Sequence, residues 1–193
     1  PKMIAAKNTE LARLEGIYRG LLKDSGVTAI DGCGALLDAN SVAIGGVQYS
    51  ADTILIATGG WPALPDLPGI ELAITSNEAF DLPQLPKRIV IVGGGYIACE
   101  FACIFNGLGA ETLQLYRSDM ILRGFDMDVR EICCDEMRKS GVDVRLNSNP
   151  IKIEKTAVGI ALTTNQGDVL EADQVMFATG RAPNTADIGL QKA

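Results

Sequence analysis

The sequence predicts an α/β protein in which a parallel sheet is accompanied by antiparallel meanders. Three observations carry this. Four β-branched residues, Ile89-Val90-Ile91-Val92, break directly into Gly93-Gly94-Gly95, and the chain restarts at Tyr96 with helical spacing. Strand-like and helix-like segments alternate after that point, as in a parallel sheet. Short strand-like pieces separated by glycine and Asn-Ser turns occur before it and again near the end, as in a meander.

Residues 4–23 read as a helix, with Leu11, Leu14, Tyr18, Leu21 and Leu22 on one stripe and Gly26 after its end. Residues 27–30, 35–37, 41–44 and 47–49 read as short strands. Residues 53–57 read as a continuous apolar strand ending in Thr58-Gly59-Gly60. Residues 61–86 contain five prolines and read as a connector, so a domain boundary is expected near residue 82. Residues 89–92 form a strand buried on both faces, 96–109 a helix, and 111–116 the next strand. A second amphipathic helix is expected over 126–139, then a third parallel strand over 142–146. Residues 151–155, 159–164 and 169–170 read as a second meander, and 175–178 as a buried strand ending in Thr179-Gly180-Arg181. There is an internal echo. Residues 53–59 resemble 174–180, and each stretch follows a meander and an Ala-Asp pair, Ala51-Asp52 and Ala172-Asp173.

Composition narrows the function. Hydrophobic residues make up 47 % of the 193 residues and charged residues 21 %, ordinary values for a globular chain with a sizeable core. A net charge of −7 argues against a nucleic-acid backbone as partner. No apolar run approaches the roughly 18 residues of a membrane span, so a soluble cytoplasmic protein without membrane partners is expected. Five cysteines without framework spacing do not suggest a disulfide-stapled fold. Histidine is absent, which removes the commonest general base and metal ligand.

The strand, glycine turn and helix form a G-x-G-x-x-A fingerprint inside a βαβ unit, the context that points to a bound dinucleotide. Gly93 permits the tight turn, Gly95 lets the backbone approach a pyrophosphate, and Ala98 allows helix to pack on strand. The N–H groups at the helix start, around Tyr96 and Ile97, face the anion. The end of the second strand reads the adenosine ribose. An acidic residue there selects NAD, whereas arginine favours the 2′-phosphate of NADP. Tyr116 fills the acidic position, Arg117 follows, and Arg123 lies in the next loop. Two guanidiniums can hold a phosphate, so NADPH is the expected ligand, with Asp119 between the arginines as the counter-signal.

These residues are similar to those of the flavin-dependent disulfide reductases, and most closely to the glutathione reductases among them. The matching pieces are Ala57-Thr-Gly-Gly-Trp-Pro, Thr75-Ser-Asn-Glu-Ala-Phe, Gly93-Gly-Gly-Tyr-Ile-Ala-Cys-Glu, Leu122-Arg-Gly-Phe-Asp and Ala178-Thr-Gly-Arg-Ala-Pro-Asn-Thr, in the family's order and spacing. The resemblance implies a Rossmann-like three-layer ββα FAD/NAD(P)-binding fold. Residues 1–82 would be the end of an FAD-binding segment, 83–181 the NADPH-binding domain, and 182–193 the return toward the FAD domain. It implies that Gly93, Gly95, Tyr96, Ile97 and Ala98 hold NADPH, that Arg117 and Arg123 bind its 2′-phosphate, and that Gly180 closes the groove. Tyr96 would cover the flavin until nicotinamide displaces it, Glu100 would lie near the nicotinamide, and Thr58 and Gly59 would neighbour FAD. The parent would be a homodimer that reduces glutathione disulfide.

The departures are equally specific. The family's own FAD glycine motif, its C-x-x-x-x-C redox pair and its catalytic His-Glu pair do not occur in this sequence. No catalytic residue is therefore assigned within it, the chain alone is expected to be inactive, and the absence of an initiator methionine fits a middle segment of a longer protein. Two alternatives stand beside this reading. One is a free-standing NADP-binding or regulatory module. The other is an NAD-linked dihydrolipoamide dehydrogenase-like or mercuric reductase-like enzyme.

Overall fold

A computed structural model describes residues 2–193. The chain forms two compact units. One runs to Trp61 and resumes at Pro183–Ala193, and the other is Pro62–Ala182.

The first unit opens with helix α1 (Lys2–Asp24). It stops where Gly26 turns left-handed at φ 73° and the Val27 N–H donates to the Leu22 carbonyl at 2.9 Å. The helix buries no residue, and the stripe of Leu11, Tyr18 and Leu21 is exposed. Strands β1 (Gly34–Asp38), β2 (Ser41–Ile44) and β3 (Val47–Ser50) form the expected antiparallel meander. The chain returns to it at residue 188, where the Ile188 carbonyl accepts the Leu36 N–H at 2.8 Å.

Two expected strands do not form. Residues 27–30 and 53–57 have no ladder partner among the described residues. Leu55 is 86 % exposed, so the apolar run that reads as a buried strand has no second layer to pack on. A strand needs a neighbouring edge, and composition alone cannot supply one. The echo between residues 53–59 and 174–180 therefore holds in sequence and in the preceding meander, but only the second copy is a strand.

The chain leaves the first unit along β4 (Gly60–Pro62). Residues 62–82, expected to be an unpacked connector, belong to the second unit. The Ile74 N–H donates to the Val175 carbonyl and the Phe177 N–H donates to the Ile74 carbonyl, both at 2.8 Å. Gly69, at φ 84°, lies so close to Ile153 that a Cβ would sit 1.9 Å from the Ile153 carbonyl oxygen. Thr75 then caps the short helix α2 (Ser76–Ala79) with Glu78 completing a capping box. The prolines remove donors, but the residues between them still pair, and the two compact units divide at 61/62.

The centre of the second unit is β5 (Arg88–Val92), followed by α3 (Tyr96–Gly107), β6 (Glu111–Leu115), α4 (Met127–Lys139) and β7 (Asp143–Arg145). The meander β8 (Pro150–Thr156), β9 (Gly159–Thr164) and β10 (Val169–Ala172) comes next, then β11 (Gln174–Phe177). The chain leaves along β12 (Arg181–Pro183), which pairs with β4. The parallel sheet has the order β11-β5-β6-β7. Residues alternate across it. Ile89 and Ile91 join Ala98, Phe101, Ala102, Phe105, Cys134 and Met137 in a core beneath α3 and α4. Val90 and Val92 join Ile153, Leu162 and Phe177 in a second core beneath the meander. The layers are therefore meander, parallel sheet and helices, the three-layer ββα arrangement that the resemblance implies.

Asp173 fixes the start of β5. One carboxylate oxygen accepts the Lys87 and Arg88 N–H groups at 3.0 Å, and the other accepts from the Arg88 guanidinium at 2.9 Å. The Arg88 guanidinium holds the Asp173 carboxyl below the usual aspartate range, with the two backbone donors adding to it. Such a group stabilises the fold above its unfolded value of about 3.9 and loses that contribution as pH falls through the lower folded value. Asp173→Asn is expected to lower the thermal midpoint at pH 7 by about 2–4 °C. The gap should close below about pH 4, and identical acid-unfolding curves for the two proteins would refute this linkage.

Among the cysteines, Cys99 and Cys134 are buried while Cys33 and Cys103 are exposed. Burial pushes the Cys99 thiol up to about 11, so it stays protonated at neutral pH. Iodoacetamide on the native fold should label Cys33 and Cys103, and reach Cys99 and Cys134 only after denaturant is added. Peptide mass spectrometry reads the order.

Candidate functional site

The site is built where β5 ends. Gly93 is at φ 143°, and a Cβ there would lie 2.4 Å from the Ala178 carbonyl oxygen and 3.2 Å from the Ala98 Cβ. Its carbonyl accepts the Gln114 side-chain amide at 2.9 Å, and its N–H donates to the Leu115 carbonyl at 2.9 Å. Gly94 lies flat against the Tyr116 ring, where a Cβ would sit 2.4 Å from ring carbons. Its carbonyl accepts the Leu122 N–H at 2.6 Å. Gly95 is different. It caps α3 with ordinary extended backbone, φ −82°, makes no side-chain capping bond, and has nothing within 4 Å of a Cβ position. The protein's own packing accounts for the first two glycines and gives no reason for the third.

Gly95 faces a cavity of about 580 Å³ within the second unit. It lies at the carboxyl ends of β5 and β11, where the chain order of the parallel sheet reverses, the place where such sheets take ligands. The first turn of α3 lines one side with N–H donors that have no partner within the helix. Arg117 and Arg123 line another. Both arginines are exposed, and no ion pair joins either to Asp119 among the described residues. One carboxylate, Asp66, also lines the cavity. The loop that carries the arginines is tied down on both flanks. The Asn147 N–H donates to the Ser118 carbonyl and the Ser148 N–H to the Tyr116 carbonyl, both at 3.0 Å, while Leu122 is pinned to Gly94. The chemistry on offer is anion binding: backbone donors at a helix start and two guanidiniums around one open groove.

Most of the expected residues converge there. Gly93, Gly95, Tyr96, Ile97, Arg117, Arg123 and Gly180 all line the cavity. Ala98 lies behind it, fully buried against Gly93, where a larger side chain has no room. Tyr96 is 58 % exposed at the cavity edge. Glu100 is exposed on α3 and is not among the lining residues. Thr58 and Gly59 belong to the first unit. Thr58 borders a smaller hollow of about 170 Å³, and the Gly59 carbonyl accepts the Asn184 N–H at 2.9 Å. Among the described residues no group of three His, Cys, Asp or Glu side chains could hold a metal ion. Sequence reading missed Gln114 and the contact between Tyr116 and Gly94. A glutamine in a strand has no local signature, and Tyr116 registered only as a position without a carboxylate.

The comparisons with known proteins agree with this geometry. The family model described as pyridine nucleotide-disulphide oxidoreductase matches residues 1–193. The chain is 48 % identical over 189 residues to a glutathione reductase of Burkholderia cepacia, covering 98 % of this chain and 42 % of that protein. It is 48 % identical over 190 residues to the chloroplastic/mitochondrial glutathione reductase of Pisum sativum, covering 98 % and 34 %. A trypanothione reductase of Leishmania donovani is 43 % identical over 205 residues, covering 99 % and 42 %. Among solved structures, the HOCl-induced flavoprotein disulfide reductase RclA from Escherichia coli superposes with a TM-score of 0.88 at 28 % identity, covering 98 % of this chain and 45 % of that one. The chain thus spans well under half the length of these relatives. With a family model matched from first residue to last, and a meander–sheet–helix architecture around a glycine loop, this chain belongs to the pyridine nucleotide-disulphide oxidoreductase family.

Proposed function

We propose that the second unit holds NADPH for a flavoprotein disulfide reductase whose substrate is glutathione disulfide. The observation that carries the reading is Gly95, a glycine that the fold does not require, facing a groove flanked by Arg117 and Arg123. The residues fit the group. Gly93 and Gly95 bring the backbone to the pyrophosphate, with the Tyr96 and Ile97 turn donating N–H groups. Ala98 keeps helix and strand close enough for the turn to exist. Arg117 and Arg123 hold the 2′-phosphate, and Gly180 borders the same groove.

When bound, NADPH supplies a hydride for the flavin. The chain's own residues orient it and shield it from water. Tyr96, at the cavity edge, would cover the flavin until nicotinamide displaces it, and Glu100, one turn on, would supply a carboxylate near the nicotinamide. Thr58 and Gly59 act as backbone neighbours of FAD. The glutathione reductases at 48 % identity favour glutathione disulfide as the substrate of the whole protein and FAD as its second cofactor. The 193 residues contain no histidine and no C-x-x-x-x-C pair, since Cys99 and Cys103 are only four apart. The chain by itself should therefore turn over no glutathione disulfide, and measurable turnover would count against the assignment.

Calorimetric titration of the full-length protein tests the site. NADP⁺ should bind more tightly than NAD⁺. Gly95→Ala should leave the thermal midpoint within about 2 °C, because its Cβ meets nothing, yet weaken both nucleotides at least about tenfold by obstructing the pyrophosphate. Arg117→Ala should weaken NADP⁺ by about 1–3 kcal/mol, a charged hydrogen bond, and leave NAD⁺ nearly unchanged. A preference for NAD⁺ would overturn the phosphate assignment.

A further inference from the structure

One arginine that does not line the cavity makes a contact the binding site depends on. Arg130 stands on the first turn of α4, exposed only in part. Its Nε donates to the Ile121 carbonyl and its Nη2 to the Met120 carbonyl, both at 2.8 Å. The planar guanidinium thus spans two consecutive peptide groups, a geometry its rigid fork suits and a lysine ammonium does not. Those two residues lead directly into Leu122, whose backbone is left-handed at φ 55°. Leucine adopts that conformation rarely, and it persists only where the surroundings enforce it. Here three hydrogen bonds hold it. The Leu122 N–H is taken by the Gly94 carbonyl at 2.6 Å, and the carbonyls just before it are taken by Arg130. Arg123 is the next residue, so the direction in which it leaves the loop is set by the bend at Leu122.

We propose that Arg130 is a positioning residue for cofactor choice. It locks the turn at residues 120–122, so that Arg123 is presented to the cavity where a 2′-phosphate would lie. Arg130 acts through Arg123 and touches no ligand itself. Without it, the Ile121 carbonyl, in a residue with no exposed surface, loses its side-chain partner. Leu122 can then relax to a commoner conformation and swing Arg123 away. The inference rests on the NADPH reading of the cavity.

A double-mutant cycle on the full-length protein tests it, using NADP⁺ and NAD⁺ as probes. Arg130→Ala should weaken NADP⁺ by about five- to tenfold, the loss of one charged hydrogen bond, and change NAD⁺ by less than about twofold. In an Arg123→Ala background the same substitution should have no further effect on NADP⁺. Arg130→Lys keeps the charge and stem, guards against a simple loss of fold, and should still lower the NADP⁺ preference. Equal weakening of both nucleotides, or an undiminished effect when Arg123 is already absent, would overturn the positioning role. A wild-type protein without NADP⁺ preference would instead fail the reading of the cavity, and the role of Arg130 with it.

Discussion

Strand β5 is shared by two hydrophobic cores, and the site inherits its position from that sharing. Ile89 and Ile91 are committed to the helix side, Val90 and Val92 to the meander side. Each such side chain contributes about 1.5–3 kcal/mol by burial. A slip of one residue would exchange the two sets between cores shaped for the other. The strand therefore has one register, and Gly93 follows it without a spacer. Where the hydrophobic alternation stops, the glycine turn begins, so the placement of the anion-binding backbone is decided by packing several residues upstream.

Polar groups hold the same strand at both ends. Asp173 receives the amides at its entry, and Gln114 donates to the Gly93 carbonyl at its exit. Gln114 is completely buried, and among the described residues its own Oε1 has no partner. An unpaired buried acceptor costs about 1–3 kcal/mol. That cost sits in the strand next to the glycine turn, while the Gln114 Nε2 bond holds the Gly93 carbonyl in place.

The readable parts of the fold were those whose signal is local. Four β-branched residues, three glycines and a helical stripe lie within twenty positions, and β5, α3 and the loop between them follow directly. The 3.6-residue spacing and Asp126 as a cap likewise made α4 legible. Long-range partners were not legible. Residues 53–57 are as strand-like in composition as β11, yet only β11 finds an edge, along β5. Ile74 sits among prolines and pairs with β11 all the same. At the site, Arg117 and Arg123 could be named from chemistry because they face the groove. Arg130 and the left-handed Leu122 could not, because their meaning lies in carbonyls that no sequence pattern marks.

The division of the chain also has a temporal side. The unit Pro62–Ala182 is continuous, and both of its cores draw only on residues within it. The other unit is interrupted. The edge of β1 closes only when the Ile188 carbonyl accepts the Leu36 N–H and Gly189 packs on the Leu36 backbone. On a ribosome, which delivers the chain from its amino end, residues 62–182 can therefore all be delivered before residues 183–193 reach the edge of β1.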